Sequence, residues 1–196
     1  INKNGELHWT NNGVLVCGLS GAQNAPEIVS DGTSGAIVVW QDFRKNYADI
    51  YAQRIDGSGT ILWDKWGVAV CSAQGHESFA VAVSNGAEGV IITWIDSRNG
   101  VNNNDIYIQQ LDGNGAVQWL ADGVPLCTAP GNQNYPAITP DGAGGAMSAW
   151  WDMRSGDFNI YAQRIDLSGS VKWENNGVAI CIETGIQNRV SIISDG

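Results

Sequence analysis

The segment Asp49–Asp56 reads Asp-Ile-Tyr-Ala-Gln-Arg-Ile-Asp, and similar segments recur at Asp105–Asp112 and at Ile160–Asp166. This recurrence decides the fold. Each copy is followed by the same series of Gly, Trp, Gly-Val and Cys. The second half of this pattern also opens the chain, ending at Cys17. Self-similarity with a period of about 54 residues marks a repeat protein.

One full repeat divides into four predicted strands, Pro26–Ser30, Ala36–Trp40, Ile50–Ile55 and Ile61–Val70, separated by turns rich in Gly and Asp. The second of these strands is apolar on both faces, as expected of a strand between two other layers. No segment shows helical spacing with caps. The sequence therefore predicts an all-β, β-propeller-type array of four-stranded antiparallel blades. A linear array of small sheets or a β-solenoid is the alternative.

The repeat also predicts how the chain is divided. We expect one array over 1–196, made of a partial blade at 1–20, blades at 21–74, 75–130 and 131–184, and a partial blade at 185–196. The partial blades would contribute strands at Leu7–Val16 and Val190–Ser194. An array incomplete at both ends exposes unpaired strand edges. We therefore expect a fragment of a longer chain, or partners that are flanking blades or other copies of the same chain.

Composition narrows the partners. The chain of 196 residues carries 10 Lys+Arg against 20 Asp+Glu, a net charge of −10, which argues against nucleic acid. No apolar run is long enough for membrane insertion. The four cysteines, one per repeat at the same phase, are expected to be buried free thiols and not disulfides or metal ligands. We expect no cofactor, although Asp/Asn/Gly loops such as Asn102–Asp105 could hold Ca²⁺.

A Trp-x-Asp-x-Arg motif ends the second strand of every repeat. Period-2 spacing places its side chains on one face of the strand. Either the Trp packs between blades while Asp and Arg pair with each other, or the Asp and Arg residues form a ring at the rim that binds a polar ligand. The candidate binding residues are Asp42, Arg44, Asp96, Arg98, Asp152 and Arg154.

A second motif, Asp-x-x-Gly-x-x-x-Trp, lies at the turn between the third and fourth strands. Asp can accept hydrogen bonds from the backbone of the turn and Gly can take a left-handed conformation, so we interpret the motif as structural. It is loosely similar to the Asp-box of sialidase-type propellers, but the spacing differs and no catalytic residue is carried over. Its members are Asp56, Gly59, Trp63, Asp112, Gly115, Trp119, Asp166, Gly169 and Trp173, with Asn2, Gly5 and Trp9 as a variant.

Two tryptophans, Trp66 and Trp151, fall outside the repeat pattern and are candidates for surface contact with glycans. Signs of catalysis are missing from the sequence. His8 and His76 are isolated, and no nucleophile, phosphate-loop or zinc-protease motif occurs. Residues repeated identically in every blade are expected to serve the fold, because an active site needs asymmetry. We therefore expect no enzyme.

The repeated wording, D-I-Y-A-Q-R-I-D followed by W and G-V-x-V-C, then W-x-D-x-R, resembles tandem repeats of large secreted proteins of Bacteroidetes- and Chlorobi-type bacteria. The resemblance covers the whole chain. It implies a propeller-like module located outside the cell or on its surface. The expected function is a non-enzymatic structural or adhesive module that assembles end to end. The alternatives are a carbohydrate-binding, lectin-like propeller and, more distantly, a propeller glycoside hydrolase.

Overall fold

The computed structural model describes residues 4, 6, 9, 10, 12–185, 187 and 190–194, and these residues form three antiparallel sheets of four strands. In every sheet the strands lie side by side in chain order. The predicted β-propeller-type array of four-stranded blades is confirmed. Blade 1 holds β1 Gln23–Ser30, β2 Ala36–Asp42, β3 Asp49–Ile55 and β4 Val68–Cys71; blade 2 holds β5 Glu77–Ser84, β6 Val90–Asp96, β7 Asp105–Leu111 and β8 Val124–Cys127; blade 3 holds β9 Gln133–Pro140, β10 Ala146–Asp152, β11 Asn159–Ile165 and β12 Val178–Cys181.

The part of the chain that the structure describes contains no helix capable of crossing a membrane. The first strands of successive blades, β1, β5 and β9, contact one another and therefore occupy the inner side of the array. The fourth strands are the shortest and lie at the outer edge of each sheet. A surface to which all three blades contribute is therefore formed most readily by the inner strands.

The fourth strand is shorter than the sequence predicts. The prediction ran from Ile61 to Val70, but only Val68–Cys71 pairs with β3, and Ile61 makes a single bridge to Ile55. A turn intervenes, in which the backbone N–H of Gly67 donates to the carbonyl of Asp64 over 2.8 Å. Blades 2 and 3 repeat this turn, and their fourth strands, Val124–Cys127 and Val178–Cys181, are equally short.

The two terminal strands are not found. Within the predicted strand Leu7–Val16, residues 7, 8 and 11 lie outside the described part, and 12–16 form no strand. Residues 190–194 form no strand either. A fourth strand pairs with the third strand of its own blade and a first strand pairs with the second. Among the described residues, no third strand lies beside 12–16 and no second strand lies beside 190–194.

The second and third strands of each blade supply most of the buried core. Every residue of β6 and of β7 is buried, because each of these strands has a neighbour on both sides and another blade against its face. The side chains of Ile92 and Trp94 join those of Ile37, Ile50 and Leu111 in one apolar cluster between blades 1 and 2. A second cluster lies between blades 2 and 3. The apolar contacts between neighbouring sheets are therefore the main source of stability.

The Gln of each Ile-Tyr-x-Gln segment holds the outer turn in place. The amide of Gln53, fully buried, donates to the carbonyl of Asp64 over 2.6 Å and accepts from the backbone N–H of Trp63 over 3.0 Å. Gln109 and Gln163 make the equivalent bonds. A buried amide must satisfy both its donor and its acceptor, and this requirement explains why Gln recurs at the position.

The second motif joins successive blades. The indole N–H of Trp63 in blade 1 donates to the carbonyl of Gly113 in the outer turn of blade 2, over 3.0 Å. Gly115 in the same turn has φ +80° and lies so close that an added Cβ would come within 2.9 Å of the Trp63 ring. Trp119 repeats the contact with blade 3, donating to Leu167. The motif therefore acts between blades, in addition to forming each turn.

We predict that Gly115→Ala destabilises the chain more than Gly142→Ala does. Both glycines have a left-handed backbone, and an added Cβ costs about 1 kcal/mol at such a position. Gly142, with φ +75°, has nothing within 4 Å of its added Cβ, whereas at Gly115 the Cβ meets Trp63. Overpacking should add about another 1–2 kcal/mol at Gly115. Urea unfolding measures both changes, and equal losses would contradict the contact between blades.

Candidate functional site

The Trp-x-Asp-x-Arg motif forms a cluster within each blade that we call the clasp. In blade 3 the clasp consists of Trp150, Asp152, Arg154 and Tyr161. The Trp150 indole N–H donates to Asp152 over 3.0 Å, and the Arg154 guanidinium donates to both oxygens of the same carboxylate over 2.8 and 2.6 Å. The guanidinium also stacks on the Tyr161 ring at 3.8 Å and donates to the carbonyl of Asn176 over 2.7 Å. Blades 1 and 2 hold equivalent clasps built on Trp40, Asp42, Arg44 and Tyr51 and on Trp94, Asp96, Arg98 and Tyr107.

The clasp encloses its carboxylate and leaves it no solvent-exposed surface at which a rim ligand could bind. Asp42, Asp96 and Asp152 are all fully buried. Each accepts hydrogen bonds from its Trp and from its Arg, the latter through side chain and backbone. The predicted ring of ligand-binding Asp and Arg is thus replaced by three separate internal ion pairs. We assign these six residues to holding the strand end and the outer turn together.

In blades 1 and 3 the clasp lowers the pKa of its carboxyl group, which stabilises the folded chain. Burial by itself would raise the pKa of Asp152, but the hydrogen bonds from Arg154 and Trp150 outweigh burial and hold the pKa below its usual value. The pKa of Asp42 is lowered for the same reasons. A carboxyl group with a lowered pKa binds protons more weakly in the folded chain than in the unfolded one. Its contribution to stability is present above about pH 4 and is lost as the pH falls further.

We predict that Asp152→Asn lowers the free energy of unfolding at pH 7 by about 2 kcal/mol, because it leaves Arg154 without its anionic partner. It should also flatten the fall in stability on acidification below about pH 4. The control is Asp157→Asn at an exposed site in the next turn. Chemical unfolding at pH 7 and pH 3 measures the effect. The clasp would be contradicted if the two variants behaved alike.

The first strands carry a different feature, a bulge that repeats in all three blades. At each bulge one residue other than glycine has a left-handed backbone: Ala25 with φ 46°, Phe79 with φ 50° and Tyr135 with φ 52°. Strand pairing shifts at the same places. A bulky residue in this conformation is strained by about 1–3 kcal/mol, and such strain concentrates at functional sites. The bulges therefore indicate a candidate site on the inner strands.

The three bulges surround a groove that we call the inner groove, with a volume of about 430 Å³. Phe79 and Tyr135 are 55% and 47% exposed, and their rings meet edge to face at 5.1 Å. The Tyr135 ring lies 4.5 Å from that of Trp151. The groove is lined by Ala25, Pro26, Glu27, Phe79, Ala80, Val81, Tyr135, Pro136, Trp151 and Val190. A concave, mostly apolar surface with a few polar groups is the usual form of a small-ligand site.

The two tryptophans singled out from the sequence have different positions. Trp151 lines the inner groove, and its indole N–H is buried with no hydrogen-bond partner among the described residues. Trp66 lies in the outer turn of blade 1, where its ring packs close to Gly18 and the Lys65 ammonium sits over it at 4.7 Å. Only Trp151 therefore belongs to the groove.

A buried acid lies at the junction of blades 1 and 2. Glu77, the first residue of β5, is fully buried, and neither of its carboxylate oxygens has a hydrogen-bond partner among the described residues. Burial, and then the charges of Asp96 and Asp49, raises the pKa of Glu77 to about 9. Its carboxylate lies within 4.8 Å of a ligand atom of Cys71 and one of Asp96. All four cysteines are free thiols, but only Cys71 and Cys127 are buried as predicted, whereas Cys17 and Cys181 are partly exposed because each lies in an outermost part of the array.

Sequence reasoning missed Phe79, Tyr135 and Glu77. Phe79 and Tyr135 occupy the position of Ala25, so the signal was an aromatic residue at a place where the repeats differ. Glu77 likewise stands where the other repeats have Gln23, Gln133 and Gln187. Both signals are departures from the repeat, at positions where one or two blades carry a different residue type.

Several solved structures are similar to this chain, including the following three. One is an alpha-L-arabinanase of Penicillium chrysogenum complexed with arabinobiose, with a TM-score of 0.45 and 13% identity over 75% of this chain and 47% of that one. Another is the catalytic domain of a GH62 alpha-L-arabinofuranosidase of Coprinopsis cinerea, with a TM-score of 0.45 and 12% identity, covering 82% of this chain and 54% of that one. The third is an endo-arabinase of Bacteroides thetaiotaomicron, with a TM-score of 0.46 and 13% identity, covering 81% of this chain and 63% of that one. No family model and no curated protein matches.

All three of these structures are glycoside hydrolases. The finding contradicts the expected non-enzymatic structural or adhesive module that assembles end to end, and that expectation is wrong. The chain spans about half to two thirds of the length of the proteins it resembles. At this level of identity the likeness concerns the fold, and no residue role is carried over to this chain.

Proposed function

We propose that the chain binds a carbohydrate in the inner groove. The observation that carries the proposal is the group of three aromatic rings, from Phe79, Tyr135 and Trp151, brought together from blades 2 and 3 in one concavity. Aromatic faces can stack on the apolar C–H face of a sugar ring. Exposed aromatic surface of this kind also costs solubility, so it is usually retained for binding.

The polar groups of the groove would orient a sugar. Glu27 lies on an exposed part of β1 and lines the groove. Its carboxylate can accept hydrogen bonds from the hydroxyl groups of a sugar. A few polar groups in an apolar concavity give orientation and specificity, while the apolar contact supplies most of the affinity.

Hydrolysis of the bound glycan is the second candidate, and Glu27 is the observation that favours it. Glycoside hydrolysis generally uses a pair of carboxyl groups that flank the scissile bond. Among the described residues that line the groove, Glu27 is the only acid. Glu77 is buried away from solvent and does not line it. The groove therefore supports binding better than it supports turnover.

A panel of oligosaccharides, including arabino-oligosaccharides, should yield at least one ligand for the purified chain. Tyr135→Ala and Trp151→Ala are each expected to weaken that binding about tenfold, the equivalent of 1.4 kcal/mol. Trp66→Ala and Trp173→Ala, whose rings lie outside the groove, are the matched controls. Titration calorimetry measures the affinities. Binding that survives both groove substitutions would exclude this site.

The same ligands separate binding from hydrolysis. If the chain only binds, incubation leaves the oligosaccharide intact for both the wild-type chain and Glu27→Gln. Release of shorter sugars by the wild-type chain, abolished in Glu27→Gln with affinity retained, would establish the hydrolase instead. Product analysis by chromatography distinguishes the two outcomes.

A further inference from the structure

We propose that Cys71, Glu77 and Asp96 form a binding site for one thiophilic divalent cation of the Zn²⁺ class at the junction of blades 1 and 2. The three residues come from β4, β5 and β6, so the site spans the interface between two sheets. One ligand atom from each residue lies within 4.8 Å of the others, and all three residues are buried.

The strongest reason is the lone carboxylate of Glu77. It has no exposed surface and no hydrogen-bond partner at either oxygen among the described residues. A buried charge is normally paired or bound to a metal. The neighbouring charges are already engaged, since Arg98 pairs with Asp96 at 2.6 Å and Lys45 with Asp49 at 3.0 Å. Glu77 has no such partner among the described residues, so its buried carboxyl group is held in the neutral form, and a bound cation would supply the compensation that its anionic form lacks.

The repeat itself supports a special role for this junction. The equivalent sets in the neighbouring junctions are Cys17, Gln23 and Asp42, and Cys127, Gln133 and Asp152. In both of those, the Gln amide can donate, and it does so to a nearby carbonyl, that of Gly21 or Gly131. Only Glu77 offers, at this position, a carboxyl group that can ionise when a cation binds. The junction of Cys127, Gln133 and Asp152, whose residues are also buried, is therefore a built-in control, whereas Cys17 and Gln23 at the other junction are only partly buried.

The donor set indicates the class of ion. A thiolate and two carboxylates suit Zn²⁺ better than Ca²⁺, which takes oxygen ligands only. In tetrahedral zinc sites the ligand atoms lie roughly 3.5 Å apart, so modest side-chain rotations would bring these three into range. Three protein ligands are typical of open zinc sites.

Arg98 is compatible with a bound ion. Its guanidinium lies 3.3 Å from the sulfur of Cys71 and donates to Asp96 over 2.6 Å. A donor beside a metal ligand orients the ligand and tunes its basicity. Binding would release the thiol proton to solvent, together with the carboxyl proton where Glu77 carries one, and the ion would take their place. The positive charge of Arg98 then offsets one of the three ligand charges.

Metal-free chain, prepared by chelation, should bind one Zn²⁺ in equilibrium dialysis, and Cd²⁺ should give a thiolate absorption band that Cys71→Ser removes. Ca²⁺ should not compete. Glu77→Gln is expected to weaken Zn²⁺ binding at least tenfold. This variant tests the ligand with little risk to folding, because Gln occupies the equivalent position in the other repeats.

The converse substitution tests sufficiency. Gln133→Glu recreates the set at the next junction with Cys127 and Asp152, and it should raise the stoichiometry to two ions per chain. Circular dichroism checks that each variant keeps its strands. The proposal is overturned if the wild-type chain binds no Zn²⁺ or if Glu77→Gln binds it as tightly as the wild type. A Gln133→Glu chain that folds but still binds a single ion would equally overturn it.

Discussion

The buried carboxylate at the end of each second strand is the constraint on which the blades depend. Asp42, Asp96 and Asp152 have no exposed surface, and each carries a charge that would be costly without donors around it. The Trp and Arg of the same motif supply those donors, and the Arg in turn fixes the outer turn and covers a Tyr ring. The spacing Trp-x-Asp-x-Arg therefore reflects a requirement of burial, repeated once per blade.

Chemistry is found where the repeats differ. The residues that recur in every blade are engaged with each other, as in the clasp or in the contact of Trp63 with Gly115. The inner groove depends on Phe79 and Tyr135, which replace Ala25, and the candidate cation site depends on Glu77, which replaces Gln. A neutral exchange also occurs: the pair Asp31–Arg54 of blade 1 is replaced by Asn85 and Gln110 in blade 2.

The sequence predicts the fold well because the period, the turns and the apolar second strand are all local signals. The structural use of Gly59 or Trp63 could be inferred as turn chemistry, but not its partner in the next blade, since contacts between blades join residues about 50 positions apart. Of the aromatic residues in the inner groove, the sequence indicates only Trp151. Trp151 stood out by its departure from the repeat, whereas the bulge that exposes Phe79 is a backbone irregularity with no clear pattern of its own.

Whereas the buried carboxylates hold each blade together, the recurring tryptophans fasten each blade to the next, and the array depends on both. Hydrogen exchange of the indole N–H groups, followed by NMR, tests this fastening directly. Trp63 donates to the carbonyl of Gly113 in the neighbouring blade over 3.0 Å, whereas the equivalent Trp173 is 37% exposed and has no such bond among the described residues. The account predicts slow exchange at Trp63 and fast exchange at Trp173. Equally fast exchange at both would contradict it.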